Sequence, residues 1–271
     1  MRSNLAIWCI TVAIWLVQST GSAFADAPRD TVNPGLPGIA LIIDDLGNQR
    51  SQGLRAISLP GPITYAFLPF GPHTAVLARK AHASNKEIML HLPMQALDPA
   101  HKHVEPGTLT IDMSQQQFME TLEQSLAAVP HVSGLNNHMG SLMTRHPGNM
   151  AWLMEAISQR GDLFFVDSRT THFTVAKQLA TEYGIPSISR NVFLDNQPHP
   201  EAIRAQFRRL VEIARRDGTA VGIGHPQAAT LQVLAEELEK LPQQGIQLLP
   251  VSSLIELQNE RRLAWQTSSS P

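Results

Sequence analysis

The sequence predicts an α/β fold, a single (β/α) barrel domain of seven or eight parallel strands. From Ile39 onward, short apolar runs typical of strands alternate with amphipathic stretches of helical period, and this order implies a parallel sheet covered by helices. About 215 residues hold all of these runs, and no long polar or Pro/Gly-rich linker interrupts them. This length and continuity favour one barrel over an open sheet or a pair of domains.

Eight runs are predicted to be strands because each is short, rich in apolar residues and bounded by polar or turn-forming residues. The first run is apolar throughout, as is typical of a strand that is buried on both faces. In chain order the predicted strands are Ile39–Ile43, Ile63–Phe67, Glu87–Leu92, Gly134–His138, Leu163–Val166, Val192–Leu194, Ala220–Gly224 and Ile246–Val251. The longest connection without a period, Asp98–Met113, is expected to form a loop over one end of the barrel.

Two segments between the strands have the clearest helical pattern. Ser114 and Gln117 form a capping box at the start of the segment Ser114–Val129. The apolar stripe of this segment, at a spacing of i, i+4, is formed by Phe118, Leu122 and Leu126. A second stripe consists of Ile203, Phe207, Leu210, Val211 and Ala214. Five arginines fall mostly off the second stripe, which favours a solvated outer face over a surface that binds an anionic polymer.

The first 25 residues are predicted to be a secretory signal peptide. Arg2 supplies the positive charge, Leu5–Val17 the apolar core, and Ala23–Ala25 a small-x-small cleavage site. The apolar core has 13 residues, too few for a comfortable permanent anchor, although an uncleaved anchor is the alternative. After cleavage the chain is expected to have no stable membrane span. Residues 26–38 are predicted to be a linker, 39–263 the barrel domain and 264–271 a disordered tail.

Composition and charge exclude several classes of function. The 271 residues include 21 basic and 23 acidic ones; removal of residues 1–25 takes away Arg2 alone and leaves 20 against 23, a net charge of −3. This balance gives no reason to expect nucleic acid or an anionic membrane as a partner. The only cysteine, Cys9, lies in the predicted signal peptide, so the mature chain can form no disulfide, catalytic thiol or thiolate metal site. An exported chain without cysteine fits the bacterial periplasm.

The strongest functional signal is the pair Asp44-Asp45, which directly follows the first predicted strand. Unpaired charge is costly in a core, and the carboxyl ends of parallel strands are where α/β folds bind their ligands. The pair therefore indicates a site, although a helix cap beside a solvated carboxylate is the structural alternative. Five further predicted strands carry His or Asp at the same edge, and these residues are His91, His138, Asp167, Asp195 and His225.

Histidine and aspartate are suitable ligands for zinc or a related divalent ion. Such a site typically has three protein ligands; the ion lowers the pKa of water, a nearby carboxylate takes the proton, and a histidine on the opposite side protonates the leaving group. Each residue also has a structural interpretation. His91 could be a hydrogen-bonded core histidine, His225 could belong to a plain turn, and Asp167 could cap the segment that follows it.

Five motifs, in this order, resemble those of the divergent polysaccharide deacetylase family, which is related to the NodB-type carbohydrate esterases. They are Ile-Ile-Asp-Asp-Leu-Gly, His-Leu-Pro-Met, Asn-Asn-His-Met-Gly-Ser, Phe-Val-Asp-Ser-Arg-Thr and Gly-Ile-Gly-His-Pro, within the range from about Ile39 to Ile255. The resemblance implies a distorted (β/α) barrel and the metal-assisted removal of acetyl groups from N-acetylated sugars. It also implies Asp44 as general base, Asp45 as metal ligand, His225 as general acid, and Asp167 with Arg169 as residues that orient the catalytic groups.

The metal histidines depart from the NodB pattern. NodB-type enzymes usually supply both from one His-[Ser/Thr]-x-x-His motif after the third strand, and this sequence has no such motif. We expect His91 and His138 to replace them from two neighbouring strand ends, which can converge because adjacent strands lie about 5 Å apart.

The predicted function is a metal-dependent hydrolase that deacetylates an N-acetylated amino sugar in a cell-envelope polysaccharide, with zinc as the first choice of metal. Asp45, His91 and His138 are the predicted ligands. Two alternatives are kept. The same barrel could bind a glycan or a cell-wall partner without turnover, an interpretation that the missing two-histidine motif favours. Alternatively, two carboxylates could cleave a glycosidic bond, and the candidates for them are Asp44, Asp45, Asp167 and Asp195.

Overall fold

A curled parallel β-sheet with flanking helices forms the computed structural model, which describes residues 32–98 and 105–268. The strands are β1 (Gly38–Leu46), β2 (Thr64–Phe67), β3 (Glu87–Met94), β4 (Gly134–Met139), β5 (Phe164–Asp167), β6 (Ser187–Ser189), β7 (Val192–Phe193), β8 (Thr219–Gly224) and β9 (Gln247–Leu248). The helices are α1 (Arg50–Ile57), α2 (Thr74–Ala83), α3 (Gln115–Ala128), α4 (Pro147–Arg160), α5 (Ala176–Glu182), α6 (Pro200–Asp217), α7 (Ala228–Leu238) and α8 (Val251–Ser268). None of the helices in these two ranges combines the length and apolarity needed to cross a membrane.

The strands follow the order β6-β5-β4-β3-β2-β1-β8-β7, all pairings are parallel, and β9 pairs with the start of β1. β6 and β7 lie at opposite ends of this order, yet only Arg190 and Asn191 separate them along the chain. The peptide N–H of Arg190 donates to the Asp167 carbonyl of β5 (3.0 Å), and that of Asn191 donates to the Val221 carbonyl of β8 (2.9 Å). We call these two residues the seam, because they join the ends of the sheet. The predicted single-domain, distorted barrel is thus confirmed.

Alternation along the strands divides the core into two layers. Ile39, Leu41 and Ile43 of β1 face the helices, whereas Ala40 and Ile42 face the inside of the curled sheet. Helix α8 also contributes to the inner layer, which consists of Ala40, Ile42, Ala66, Met89, Phe164, Val166, Ile188, Val221, Ile223, Leu249, Val251, Leu254, Ile255 and Leu257. The inside of the barrel is therefore filled with apolar side chains and is not a pore.

Helix α8 closes the amino-terminal end of the barrel. The carboxylate of Glu87, at the start of β3, accepts hydrogen bonds from the peptide N–H groups of Val251 (2.8 Å) and Ser252 (3.3 Å). These groups belong to the first turn of the helix, where N–H donors lack partners within the helix and where the helix dipole favours a negative charge. Because α8 covers this end, the carboxyl end of the strands is the end open to ligands.

Most predicted elements are found with ends shifted by a few residues. α3 has the predicted capping box between Ser114 and Gln117, and α6 buries the whole predicted second stripe. The strand predicted over Ile246–Val251 is wrong for most of its length, because only β9 pairs and Val251 already begins α8. β6 is absent from the predicted set, since it contains a single apolar residue, Ile188, and is too short to show a period.

The chain ends differ in part from the predicted boundaries. The predicted signal peptide and residues 26–31 of the predicted linker lie outside the described residues. Residues 32–37 precede β1, and the guanidinium of Arg261 in α8 donates to the carbonyl groups of Pro34 and Leu36, each at 2.7 Å. α8 continues to Ser268, so the disordered tail predicted for residues 264–271 is wrong for residues 264–268, and its last three residues lie outside the described range.

Candidate metal centre

The inward-facing positions change from apolar to polar at the carboxyl ends of the strands. On β1, Asp44 continues the inward row of Ala40 and Ile42, and on β3, His91 continues the row of Met89. The same alternation applies on β4, after β7 and after β8. The resulting inward polar layer consists of Asp44, His91, Asn136, His138, Asp195 and His225. This layer lies directly on the apolar filling of the barrel.

A β-bulge brings Asp45 to the same side of the sheet as Asp44. Successive side chains of a regular strand point to opposite faces, so two neighbouring aspartates could not otherwise share a site. The register of β1 against β2 shifts between Ile43 and Leu46, and Asp45 has a left-handed backbone with φ 58°. Such a conformation costs on the order of 1–3 kcal/mol in a residue other than glycine and is typical of functional sites.

Three donor atoms converge at this bulge. Asp45 Oδ1 lies 3.2 Å from His91 Nε2 and 3.1 Å from His138 Nδ1, and the two nitrogens are 3.0 Å apart. Asp45 Oδ1 is buried and has no well-formed hydrogen bond within the described part of the chain. A tetrahedral zinc ion bound by N and O ligands at 2.0–2.1 Å separates its ligands by about 3.3 Å. The residues thus fit one face of a tetrahedral metal site.

Asn136 connects this group to Asp44. Its amide oxygen faces His91 Nδ1 at 2.8 Å, and its amide nitrogen donates to Asp44 Oδ1 at 2.9 Å and Oδ2 at 3.2 Å. A carbonyl oxygen can only accept, so Nδ1 of His91 carries the hydrogen and its Nε2 faces Asp45 as the ligand atom. The other ring nitrogen of His138, Nε2, lies 3.7 Å from Glu105 Oε2.

Burial and charge separate the pKa values of the two aspartates. Burial raises the pKa of Asp44, and the nearby His91 and His225 oppose the rise only in part. Burial acts on Asp45 in the same direction, but the close contacts with the His138 and His91 side chains outweigh it and lower the pKa of Asp45 far below its usual range. Asp45 is therefore always ionised at neutral pH, as a ligand must be, whereas Asp44 has the higher basicity that suits a proton acceptor.

The same carboxylates act on His91. Burial lowers the pKa of this imidazole, but the charges of Asp44 and Asp45 raise it, and the result is about 9. In the metal-free protein His91 is thus a cation at neutral pH, paired with Asp45. A metal ion that binds here must displace this proton.

His225 faces Asp45 from the end of β8. Its Nε2 lies 3.7 Å from Asp45 Oδ2, while its Nδ1 lies 3.0 Å from Asp195 Oδ1. Asp195 Oδ2 also accepts hydrogen bonds from the His225 peptide N–H and the Thr230 hydroxyl, both at 2.7 Å. Burial lowers the pKa of His225, but the Asp195 contact outweighs burial and raises it. The raised pKa favours the protonated form of His225, whose Nε2 faces the site.

Asp167 and Arg169 do not make the contacts that the predicted orienting role requires. Asp167 Oδ1 accepts a hydrogen bond from the Arg169 peptide N–H (2.9 Å), and Oδ2 accepts one from the Thr174 hydroxyl (3.0 Å). Within residues 32–98 and 105–268, no hydrogen bond or ion pair joins Asp167 or the Arg169 side chain to Asp44 or His225. Asn136 and Asp195 make those contacts instead.

The alternation of side chains along each strand explains why Asp195, and not Asp167, contacts the candidate site. Val166 belongs to the inner layer and Phe165 to the outer one, so Asp167 has the outward parity and its carboxylate binds its own loop. Leu194 belongs to the outer layer, and Asp195 therefore points inward. The sequence contains this signal, since both residues directly follow predicted strands.

Two cavities meet at the candidate centre. One, of about 410 Å³, is lined by Asp44, Asp45, His91, Asn137, His138, Met139, Ser168, Arg169, Thr170, Arg190, Phe193, Asn196, Ile223 and His225. The other, of about 480 Å³, is lined by Asp45, Leu46, Asn48, Gln49, Gln52, Phe193, Asp195, Asn196, His225, Pro226 and Gln227. They share Asp45, Phe193, Asn196 and His225, so a ligand can reach the metal triangle from two sides. Both volumes are in the range of small-molecule sites.

The carboxylates do not favour the glycosidase alternative. Both oxygens of Asp195 are occupied by His225 and Thr230, and those of Asp167 by its own loop. The remaining pair, Asp44 and Asp45, are neighbours within one bulge, each bound by histidine or asparagine, whereas a glycosidase needs two carboxyl groups on either side of the scissile bond.

Known proteins share both sequence and fold with this chain. The sequence pattern of the family described as divergent polysaccharide deacetylase matches residues 41–255. The uncharacterized protein YibQ of Escherichia coli (strain K12) is 38% identical over 224 residues, which cover 82% of this chain and 69% of that protein. An uncharacterized protein of Agrobacterium tumefaciens C58 has a solved structure with a TM-score of 0.78 at 22% identity, covering 81% of this chain and 89% of the other.

Two further solved structures are more distant. The peptidoglycan deacetylase PdaC of Bacillus subtilis has a TM-score of 0.51 at 13% identity, covering 88% of this chain and 100% of its own. A variant of BA3943 of Bacillus anthracis, a CE4 family pseudoenzyme with restored enzymatic activity, has a TM-score of 0.50 at 16% identity, covering 82% of this chain and 69% of its own. At such identities the likeness shows a shared fold alone.

Proposed function

Because this chain belongs to the divergent polysaccharide deacetylase family, we propose that it is a metal-dependent hydrolase that removes acetyl groups from an N-acetylated amino sugar in a cell-envelope polymer. One observation carries the proposal: the triangle of Asp45, His91 and His138 lies between an inward carboxylate, Asp44, and a carboxylate-held histidine, His225. The fold shared with a peptidoglycan deacetylase makes a cell-wall polymer the first substrate class to test.

The chain's own residues divide the hydrolysis between a base and an acid. Asp45, His91 and His138 would hold the ion, zinc being the first choice, and a bound ion of this kind polarises a carbonyl and lowers the pKa of water. Asp44 takes a proton from the water that forms the new C–O bond at the amide carbon. His225 gives its proton to the nitrogen as the C–N bond breaks, so acetate and a free amine leave.

Geometry keeps the two proton carriers in their roles. The amide nitrogen of Asn136 donates to Asp44 and holds this buried carboxylate in place, where it can accept a proton from water. Asp195 holds His225 through Nδ1 and leaves Nε2, the proton-donating atom, directed at the site. The acid and the base thus flank the ligand triangle on different strands, β8 and β1.

The test is metal content together with acetate release from N-acetylated oligosaccharides. We expect the purified protein to bind one equivalent of a divalent ion and to release acetate. Asp45→Ala should lose the ion, whereas Asp44→Asn should keep it and lose turnover. Asp162→Asn, an exposed carboxylate in the turn between α4 and β5, is the matched control and should change neither. Full activity of Asp44→Asn would refute the assigned roles.

The binding-protein alternative has a distinct outcome in the same experiment. It predicts affinity for a glycan without acetate release in a protein reconstituted with zinc, manganese, cobalt or nickel. The source of the two histidines on two strands, β3 and β4, is the observation that favours it. The base and acid on either side of the triangle argue against it, since binding alone requires neither.

We also propose that the chain is exported to the periplasm after cleavage behind Ala25. The charged start, the short apolar core and the small-x-small site of residues 1–25 support this. The mass of the protein purified from a Gram-negative host should correspond to a chain that begins at Asp26. A full-length mass in the membrane fraction would favour the uncleaved anchor.

A further inference from the structure

Two arginines line the 410 Å³ cavity next to the metal triangle, and within the described residues neither forms a close ion pair with a carboxylate. These residues are Arg169 and Arg190. In the described part of the chain, no ion pair within 4.0 Å involves either of them. An arginine in a partly buried place without a counter-ion is costly, so its environment is suited to an anion from outside.

Two hydrogen bonds and a contact with an aromatic ring fix the guanidinium group of Arg190. Its Nε donates to the Ser168 carbonyl at 2.6 Å, its Nη2 donates to the Arg169 carbonyl at 2.9 Å, and its guanidinium carbon lies 5.2 Å from the centre of the Phe193 ring. None of these contacts uses Nη1. Burial and the charge of Arg169 lower the pKa of Arg190, opposed by Asp167 and Asp44, which agrees with a cation that lacks a close counter-ion.

Arg169 is held by its backbone, and its side chain is free to meet a ligand. Its φ is 49°, a left-handed conformation, and its peptide N–H donates to Asp167 Oδ1. Its side chain is exposed at the cavity. Strained residues of this kind are typical of ligand sites, where the surrounding structure fixes them.

The second cavity has a different chemistry. Apart from the residues shared with the first cavity and Asp195, whose oxygens bind His225 and Thr230, its polar wall consists of the uncharged amides of Asn48, Gln49, Gln52 and Gln227, without arginine or lysine. Amide groups suit the hydroxyl groups of a neutral sugar, whereas the guanidinium pair suits a planar carboxylate. The two arginines therefore lie on one side of the metal triangle, that of the first cavity, whose wall also contains Asp44 and Asp45.

We propose that Arg169 and Arg190 form an anion site for a carboxylate that the substrate carries next to the acetylated amino group, so that the substrate is an acidic polysaccharide. The proposal rests on the proposed function for the acetylated sugar, but the anion site itself is defined by the arginines. The carboxylate can come from a neighbouring uronic acid or from a lactyl ether on an amino sugar of the chain.

The test compares three tetrasaccharides by titration calorimetry on the metal-loaded protein carrying Asp44→Asn, which keeps the acetyl groups in place. One alternates glucuronic acid with N-acetylglucosamine, one alternates N-acetylmuramic acid with N-acetylglucosamine, and one is N-acetylglucosamine alone. We expect one acidic probe to bind about tenfold more tightly than the neutral one, with a preference that weakens as salt is added. Which acidic probe binds identifies the source of the carboxylate.

The variants locate the preference. Arg169→Gln should reduce it to about threefold or less, and Arg190→Lys, which keeps the charge but loses the fork, should reduce it as well. Arg209→Gln on the outer surface of α6 removes the same charge far from the cavity and should leave the preference intact. Thermal unfolding shows whether Arg190→Lys remains folded, and Arg169→Gln alone decides the matter if it does not.

Two results would overturn the anion site: equal binding of all three probes, or an acidic preference that survives Arg169→Gln. The proposed function fails in a different way. A protein that prefers an acidic probe but never releases acetate with Asp44 intact would retain the anion site and lose the hydrolase. A protein that deacetylates acidic and neutral probes equally would retain the hydrolase and lose the anion site.

Discussion

A single amide, that of Asn136, holds both the proposed base, Asp44, and one proposed metal ligand, His91. Its oxygen accepts from His91 and its nitrogen donates to Asp44, and the residue is completely buried. The amide can satisfy a carboxylate and an imidazole at the same time because it combines a donor and an acceptor at a fixed distance. Asn136 is therefore a positioning residue that acts through its two neighbours.

Replacement of this amide tests that role. We expect Asn136→Asp to weaken metal binding about 10–100-fold, because a ligand's outer partner is altered, and to lower kcat, because a third carboxylate replaces the donor to Asp44. Chelator competition gives the affinity and steady-state kinetics gives kcat and KM. Asn136→Ala should lower kcat without adding a charge. Unchanged affinity and kcat in both variants would contradict the role.

Asp195 and Asp167 form a matched pair of variants. Asp195→Asn removes the largest of the contacts that raise the pKa of His225, so the pKa should fall and the alkaline limb of the pH–rate profile should move to lower pH. Asp167→Asn makes the same chemical change at a residue of outward parity and should leave that limb in place. A limb that moves only in Asp167→Asn would restore the predicted orienting role.

At the residue scale the sequence predicts the reactive groups better than their partners. Asp44, Asp45, His91, His138 and His225 are found together at one barrel edge, as predicted. The strand ends reveal such residues because chemistry concentrates there in parallel sheets. The inward direction of Asn136 and Asp195 follows from the alternation of side chains along the strands, whereas Arg190 is recognised only from the pairing of the strands at the seam.

At the element scale, the bulge of β1 and the turn after it determine where the aspartate pair points. Gly47 follows with φ 119°, and a Cβ at this position would collide with the Thr74 hydroxyl. Asp44 and Asp45 immediately precede this turn. The turn is thus tightly packed against the start of α2, which fixes the end of β1.

Two glycine variants separate packing from backbone strain. Gly161 also has a positive φ, 72°, but open space around its Cα. We expect Gly161→Ala to cost about 1 kcal/mol in the free energy of unfolding, the conformational term alone, and Gly47→Ala to cost about 2 kcal/mol or more and to weaken metal binding. Denaturant titration measures both. Equal costs would mean that the contact with Thr74 relaxes freely.

Elements with a strong local signal could be predicted, and those defined by pairing could not. The capping box and i, i+4 stripe of α3 are local, and they predicted the helix to within one residue. β6 is recognised only by its pairing with β5, and β9 only by its pairing with the start of β1. The bulge is a shift in the register of β1 against β2, and the residue types of Asp44 and Asp45 do not predict it.

At the scale of the whole molecule, the stability of the metal-free protein depends on the pair of His91 and Asp45. The pKa of His91 is about 9 in the folded chain against 6.5 for a free imidazole, so protonation favours folding. This contribution is fully present below pH 6.5 and is lost as the pH rises through about 9. It is a property of the apo protein, because a bound ion replaces the proton.

Thermal unfolding in the presence of a chelator tests this dependence. The Tm of the metal-free protein should fall as pH rises from 6.5 to 9, more steeply than that of His91→Gln, which has no group to titrate. Saturating zinc should raise the Tm and reduce the slope over the same range, since ligand binding stabilises the folded state. Parallel curves for wild type and variant would contradict the assignment.

The barrel itself could be predicted as a whole, but not the manner of its closure. The alternation of strands and helices and the chain length indicate a barrel. Two features of the closure depend on contacts between distant parts of the chain. Helix α8 covers the amino-terminal end, and two residues take the place of a hydrogen-bonded ladder between β6 and β7.

Arg190 takes part both in the closure of the barrel, as a residue of the seam, and in the proposed anion site. The peptide N–H of Arg190 donates to β5 and that of its neighbour Asn191 donates to β8, so these two residues connect the ends of the sheet. Arg190 also lines the cavity. A carboxylate bound at the proposed anion site would therefore contact the residue that joins the two ends of the sheet, beside the candidate metal centre.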